Sequence, residues 1–225
     1  MNKAKQTLLN LFLGVITCLL VVGVSTPSLS TITSNLSNSS IQNGDAKTFS
    51  ASQSAQPALV QNPINQYLMS DLQEAESVLM AQSMPTRNLQ RYAVILTKNN
   101  VVPAAPSTSA TGVVGAVLVG ERLVVRGDFG GLSSALRDYT TDPVNPPNPK
   151  ITSAVHIHQG EPNQNGPFQY ALTVTPNEAG MGGRLAGEYT LTSEQLQALA
   201  DGKLYVDLHS QRNRAGELRG TFRPV

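Results

Sequence analysis

The chain holds three histidines in 225 residues, and all of them fall in two short, strand-like segments. His156 and His158 stand two apart in "AVHIHQG", and His209 closes "YVDLH". On a strand, His-x-His places both imidazoles on one face, about 7 Å apart at the backbone, close enough to chelate one ion. His209 offers a third nitrogen, with Asp207 or Glu217 as a fourth ligand or as a partner behind one. Three nitrogens without thiolate suit Zn or Cu. A plainer reading uses the same residues: His156, His158, His209, Asp207, Glu217 and Arg219 can tie a sheet together by hydrogen bonds and ion pairs. Enzymatic readings find less support. There is no Gly-x-Ser-x-Gly elbow, and "GMGGRLAG" lacks the spacing and context of a phosphate-cradling loop. His209 with Glu217 could be a base and its orienter, yet no nucleophile sits at a readable position.

Alternation shows what must position these groups. Val155 and Ile157 oppose His156 and His158 across their strand. Leu204, Val206 and Leu208 oppose Tyr205, Asp207 and His209, and Leu218, Gly220 and Phe222 oppose Glu217, Arg219 and Thr221. The apolar sets form a core face, which puts every histidine on the outer, polar face. Pairing Leu208 with Leu218 and Leu204 with Phe222 keeps both apolar sets inward, and a slip of one residue breaks both. The same register sets Asp207 opposite Arg219 and His209 opposite Glu217, where opposite charges are worth about 0.2–1 kcal/mol a pair.

The rest of the domain reads mainly as strands. "RYAVILT" opens it, and "TGVVGAVLVGERLVVRGDF" is a hairpin turning near Gly120 and Glu121. "GGLSSALRDYTTDPVNPPNPK" is loop with a helical turn around 134–138. "PFQYALTVT" is one strand, and "NEAGMGGRLAGEY" a glycine-rich loop. Thr192 and Gln195 make a capping box, and Gly202 sits where a helix C-cap glycine belongs. The expectation is an all-β fold: an antiparallel β-sandwich or barrel-like domain with one short helix near the C-terminal hairpin.

Around this domain, residues 1–25 read as an export signal: Lys3 and Lys5, then a long apolar run, then small residues. Residues 26–65, rich in Ser, Thr, Asn and Gln, read as a disordered tether. Leu68, Leu72, Ala75 and Leu79 predict an amphipathic helix over 66–82. The β domain takes 88–225. Removing residues 1–25 takes two of the sixteen basic residues and no acid, leaving 14 basic against 15 acidic residues. A near-neutral domain without tryptophan is no nucleic-acid binder. The one cysteine, Cys18, lies inside the signal, so stability outside the cytoplasm must come from packing.

Taken together, His156-x-His158-x-Gly160, Gly166-Pro167 before a strand, Leu191-Thr192 before a helix, Leu199 through Gly202 to Tyr205, Val206 and His209, and Gly216-Glu217-x-Arg219-Gly220 resemble the chordin-type CHRD domain. The motif-bearing part is 151–222. One departure is "VDLHS", where the family usually has Asn before the aliphatic residue and Thr after the histidine. The resemblance implies an extracytoplasmic, non-enzymatic β module that binds or organises other molecules. No cofactor is established by it, and Zn or Cu at the histidines is the metal alternative, with redox chemistry as a corollary. The implied location is periplasmic or extracellular. The partner is an extracytoplasmic protein or envelope component of unspecified identity, with membrane contact only through an uncleaved signal.

Overall fold

A computed structural model describes residues 63–85 and 87–225. The signal and nearly all of the tether read from the sequence lie outside the described residues. A helix, α1 (Pro63–Ala81), leads into ten strands: β1 (Gln90–Leu96), β2 (Thr111–Val119), β3 (Arg122–Gly130), β4 (Val155–Gln159), β5 (Phe168–Ala171), β6 (Thr173–Pro176), β7 (Gly183–Thr190), β8 (Leu204–Leu208), β9 (Leu218–Thr221) and β10 (Arg223–Pro224). A second helix, α2 (Ser193–Ala200), precedes β8.

The strands form two antiparallel sheets, as the alternating pattern requires. One has six strands in the order β10-β1-β2-β3-β7-β6, the other four in the order β5-β4-β8-β9. Their facing sides interdigitate through Val94, Val114, Leu123 and Val125 from the first and Val155, Ile157, Val206 and Leu218 from the second. The hairpin of β2 and β3 turns through Gly120 and Glu121, with Gly120 at φ 59°. That is the left-handed conformation glycine adopts at little cost.

β2 is apolar without interruption from Val113 to Val119 apart from Gly115, because both of its faces are covered. Inward lies the sandwich core. Outward, Leu72, Ala75 and Leu79 of α1 pack on Val117, Val119 and Val124. Gly115 lets the helix come close, since a Cβ there would stand 3.0 Å from the backbone nitrogen of Leu72.

The capping box of Thr192 and Gln195 starts α2, and Gly202 follows it at φ 68°. Four details differ from the sequence-based expectation. The glycine-rich segment contains β7, which joins β3 to β6 in the larger sheet. No helical turn forms over 134–138, where Leu136 instead bridges to Ser210. "PFQYALTVT" is two strands in different sheets, with buried Leu172 at the switch. The final strand likewise changes sheets at buried Phe222, passing from β9 to β10.

A three-histidine candidate metal centre

β4 pairs antiparallel with β8, setting His156 opposite Asp207 and His158 opposite Tyr205. On the other side of β8, Leu208 pairs with Leu218 and Asp207 with Arg219. This is the register the apolar sets demand. His209 follows β8 directly, its backbone N–H donating to Ala154 O at 2.9 Å. The three imidazoles therefore meet. Ring centroids lie 5.1 Å apart for His156 and His209, and 5.7 Å apart for His156 and His158.

The face that carries them is not the solvent-exposed face expected from alternation. His156, Asp207, His209, Glu217 and Arg219 are all buried. Two loops roof the sheet. The segment between β3 and β4 is fastened by Arg137 N–H to His209 O and Gln211 N–H to Ala135 O, and it lays Tyr139 5.3 Å from His156 and 6.3 Å from His209. After the shorter loop between β4 and β5, the Phe168 ring lies 5.4 Å from His156 and 6.2 Å from His158. A polar strand face covered by loops must satisfy its groups internally, and most of its hydrogen bonds serve that end.

Each imidazole is held in the same way. His156 Nε2 donates to Ser153 O at 2.6 Å, His158 Nδ1 to Gly166 O at 3.0 Å and His209 Nδ1 to Arg214 O at 3.0 Å. A carbonyl only accepts, so each of these nitrogens carries the proton. In a neutral ring the other nitrogen then presents a lone pair. Burial, reinforced by the neighbouring His209, lowers the pKa of His156 to about 3. Burial lowers that of His209 to about 4 and also depresses that of His158. All three are neutral imidazoles at neutral pH. Nε2 of both His158 and His209 is buried and without a hydrogen-bond partner.

One ring nitrogen from each histidine can be chosen so that all lie within 4.8 Å of one another. A tetrahedral ion with metal–nitrogen bonds of about 2.0–2.1 Å needs nitrogens about 3.4 Å apart. Closing the triad on an ion therefore takes ring movements of about 1 Å. One N–H anchored to a carbonyl and the opposite nitrogen left free is how metal-binding histidines are oriented.

The two carboxylates go elsewhere. Asp207 is gripped by Arg219 through Nε at 2.6 Å and Nη2 at 2.7 Å. Glu217 accepts from Thr108 Oγ1 at 2.6 Å, Ser133 N at 2.7 Å and Ser133 Oγ at 3.1 Å. Burial raises its pKa, but its hydrogen bonds outweigh burial and hold it below the usual carboxylate value. Glu217 thus pins two loops, and no side-chain bond joins it to His209.

The remaining motif residues brace the triad. Tyr205 stacks on His158 with ring centroids 5.4 Å apart and 8° between planes, while the Arg219 guanidinium lies 4.4 Å from the centre of the Tyr205 ring. The Tyr205 hydroxyl accepts from Gly166 N at 2.7 Å, and Gln159 N donates to Pro167 O at 3.1 Å. Gly160 and Gly166 face each other so closely that a Cβ on Gly160 would stand 3.1 Å from the Gly166 Cα. Gly220 lets β9 pass against Ile95 of β1, and Gly216 takes φ 141° in the turn before β9. Tyr139, Phe168 and Ser153 were not legible as site residues, since side chains carried in by loops follow no period.

Among known proteins, the family model described as CHRD domain matches residues 92–222. No curated protein and no solved structure matches.

Proposed function

Because the chain belongs to the CHRD domain family, we propose that it is an exported, non-enzymatic binding module of that family whose four-stranded sheet holds one transition-metal ion. His156, His158 and His209 are the ligands. One observation carries this reading: two buried imidazole nitrogens without partners, in rings whose other nitrogen is anchored to the backbone. A sheet-bracing network alone would have no use for them, because a buried polar atom without a partner costs about 1–3 kcal/mol. An ion recovers that cost and joins β4 to the end of β8. Asp207, Arg219, Tyr205 and Gly166 position the ligands. The proposed location is outside the cytoplasm, reached through the signal-like residues 1–25.

The test is metal analysis of the protein purified without a histidine tag from the exported fraction. About one equivalent of Zn or Cu is expected, absent from the His156→Ala/His158→Ala variant and from His209→Gln. Circular dichroism would check that the variants fold. Native protein that is folded, holds neither ion and takes up neither on titration would rule the site out.

A further inference from the structure

We propose that the triad selects the cuprous ion over dications of similar size; this rests on the three-histidine reading above. The argument is a charge inventory. The ligands are three neutral imidazoles, each with its single N–H already given to a carbonyl. Both carboxylates of the roofed face are engaged. Asp207 forms a buried pair with Arg219, the side chains 6% and 2% exposed, and Glu217 is occupied by Thr108 and Ser133. The nearby Arg137 pairs with Asp142 at 2.8 Å. Asp207 is thus neutralised by Arg219, while Glu217 keeps its charge but spends its oxygens on Thr108 and Ser133, so neither carboxylate is free to enter the ligand shell and offset a second positive charge there.

Desolvating an ion costs free energy in proportion to the square of its charge, so the second charge is the expensive one in a buried site. Thiolate or carboxylate ligands normally offset it, and this triad has neither. Imidazole is a competent copper ligand. Three donors meet the low coordination number that Cu(I) accepts. Zn(II) sites in proteins are almost always four-coordinate, whereas the triad offers three imidazoles, and the side chains packed against His156 include the rings of Tyr139 and Phe168, at 5.3 and 5.4 Å between centroids.

The experiment measures Cu(I) affinity anaerobically against bicinchoninate, and Cu(II) and Zn(II) affinities against competing chelators, on the whole exported protein. Cu(I) is expected to bind one equivalent, at least 100-fold tighter than Cu(II). For a one-electron couple that raises the bound copper potential by about 120 mV over the free ion. A second variant tests the cause: His158→Asp supplies an anionic ligand and should narrow the Cu(I)-to-Cu(II) ratio at least tenfold. Cu(II) or Zn(II) bound as tightly as Cu(I), or a ratio unmoved by His158→Asp in folded protein, overturns the charge argument while leaving the histidine site standing. Failure to bind any of the three ions overturns both.

Discussion

At the scale of single residues, the motif is the support of the triad rather than a set of independent contacts. Arg219 illustrates this. It grips Asp207, lies against Tyr205 and reaches Asn165 Oδ1 at 2.6 Å and Gln164 O at 3.2 Å. Removing one member of a buried ion pair strands the other charge and typically costs 3–5 kcal/mol. Arg219→Leu should therefore lower unfolding free energy by about 3–5 kcal/mol, and Asp207→Leu/Arg219→Leu should recover most of that loss. Urea denaturation of the three proteins decides it, and a double variant as unstable as the single one would refute the account. Gly166 makes a steric case: a Cβ there would overlap the carbonyl oxygen of Gln159, so the loop that anchors His158 must move. Gly166→Ala should cost about 2–4 kcal/mol and weaken metal retention, while Gly130→Ala, in open space, stays within about 0.5 kcal/mol. Equal effects in the two melts would remove the steric argument. The spacing of the histidines and the Asp207–Arg219 register were legible because a strand repeats every two residues. The burial of that face was not, because it depends on loops that cross it without periodicity.

At the scale of elements, α1 and β7 carry the lesson. β7 reads as loop by propensity, since Gly183 and Gly187 weaken an isolated strand. Tertiary packing overrides this. A Cβ on Gly187 would overlap the Tyr189 ring, which stacks on Tyr170 at 4.2 Å between centroids, so the glycine makes room for that pair. The apolar face of α1 was plain in the sequence, but its docking partner was hidden in the second face of β2 and β3. Docking also buries Asp71 completely, and no hydrogen-bond donor reaches either carboxylate oxygen. Asp128 of β3 faces it, Arg184 of β7 stands 4.0 Å away, and Glu74 lies on its own helix, bonded to Arg184 and Arg126. Burial first, then Asp128, raises the Asp71 pKa to about 7. A carboxyl whose pKa is raised by docking binds its proton more tightly in the docked state. Its contribution is thus fully present below the ordinary value of 3.8 and is lost as pH rises through about 7. Hydrogen exchange in α1 should accelerate between about pH 4 and 7 beyond its intrinsic pH dependence, and show no further excess above about pH 8. Asp71→Asn, whose amide can donate to Asp128, should flatten that excess. An excess equally steep in the variant would assign it to another group.

At the scale of the whole molecule, the sandwich followed from alternation, but the assignment of strands to sheets did not. At Leu172 and Phe222 the chain leaves one sheet for the other without a turn signal, so each segment reads as one continuous strand. The family match begins at Tyr92, after α1, yet the helix closes the outer face of the larger sheet. A β domain beginning at residue 88 would uncover Val117, Val119 and Val124 together. It would also lose the ion pairs of Glu76 with Arg91 and of Glu74 with Arg126 and Arg184. Leu72 and Leu79 alone represent about 1.5–3 kcal/mol each of apolar burial, partly offset by the entropy of ordering the helix. Exposed ion pairs add little to this sum. The truncated chain should therefore melt several degrees below the chain that retains α1 and self-associate through the uncovered valines. Calorimetry and sedimentation velocity on the two proteins test both effects. A truncated domain with an unchanged melting temperature that sediments as a monomer would show α1 to be an ornament on a self-sufficient sandwich. A lower melting temperature with association would make the helix part of the folded unit, extending it about thirty residues before the family boundary.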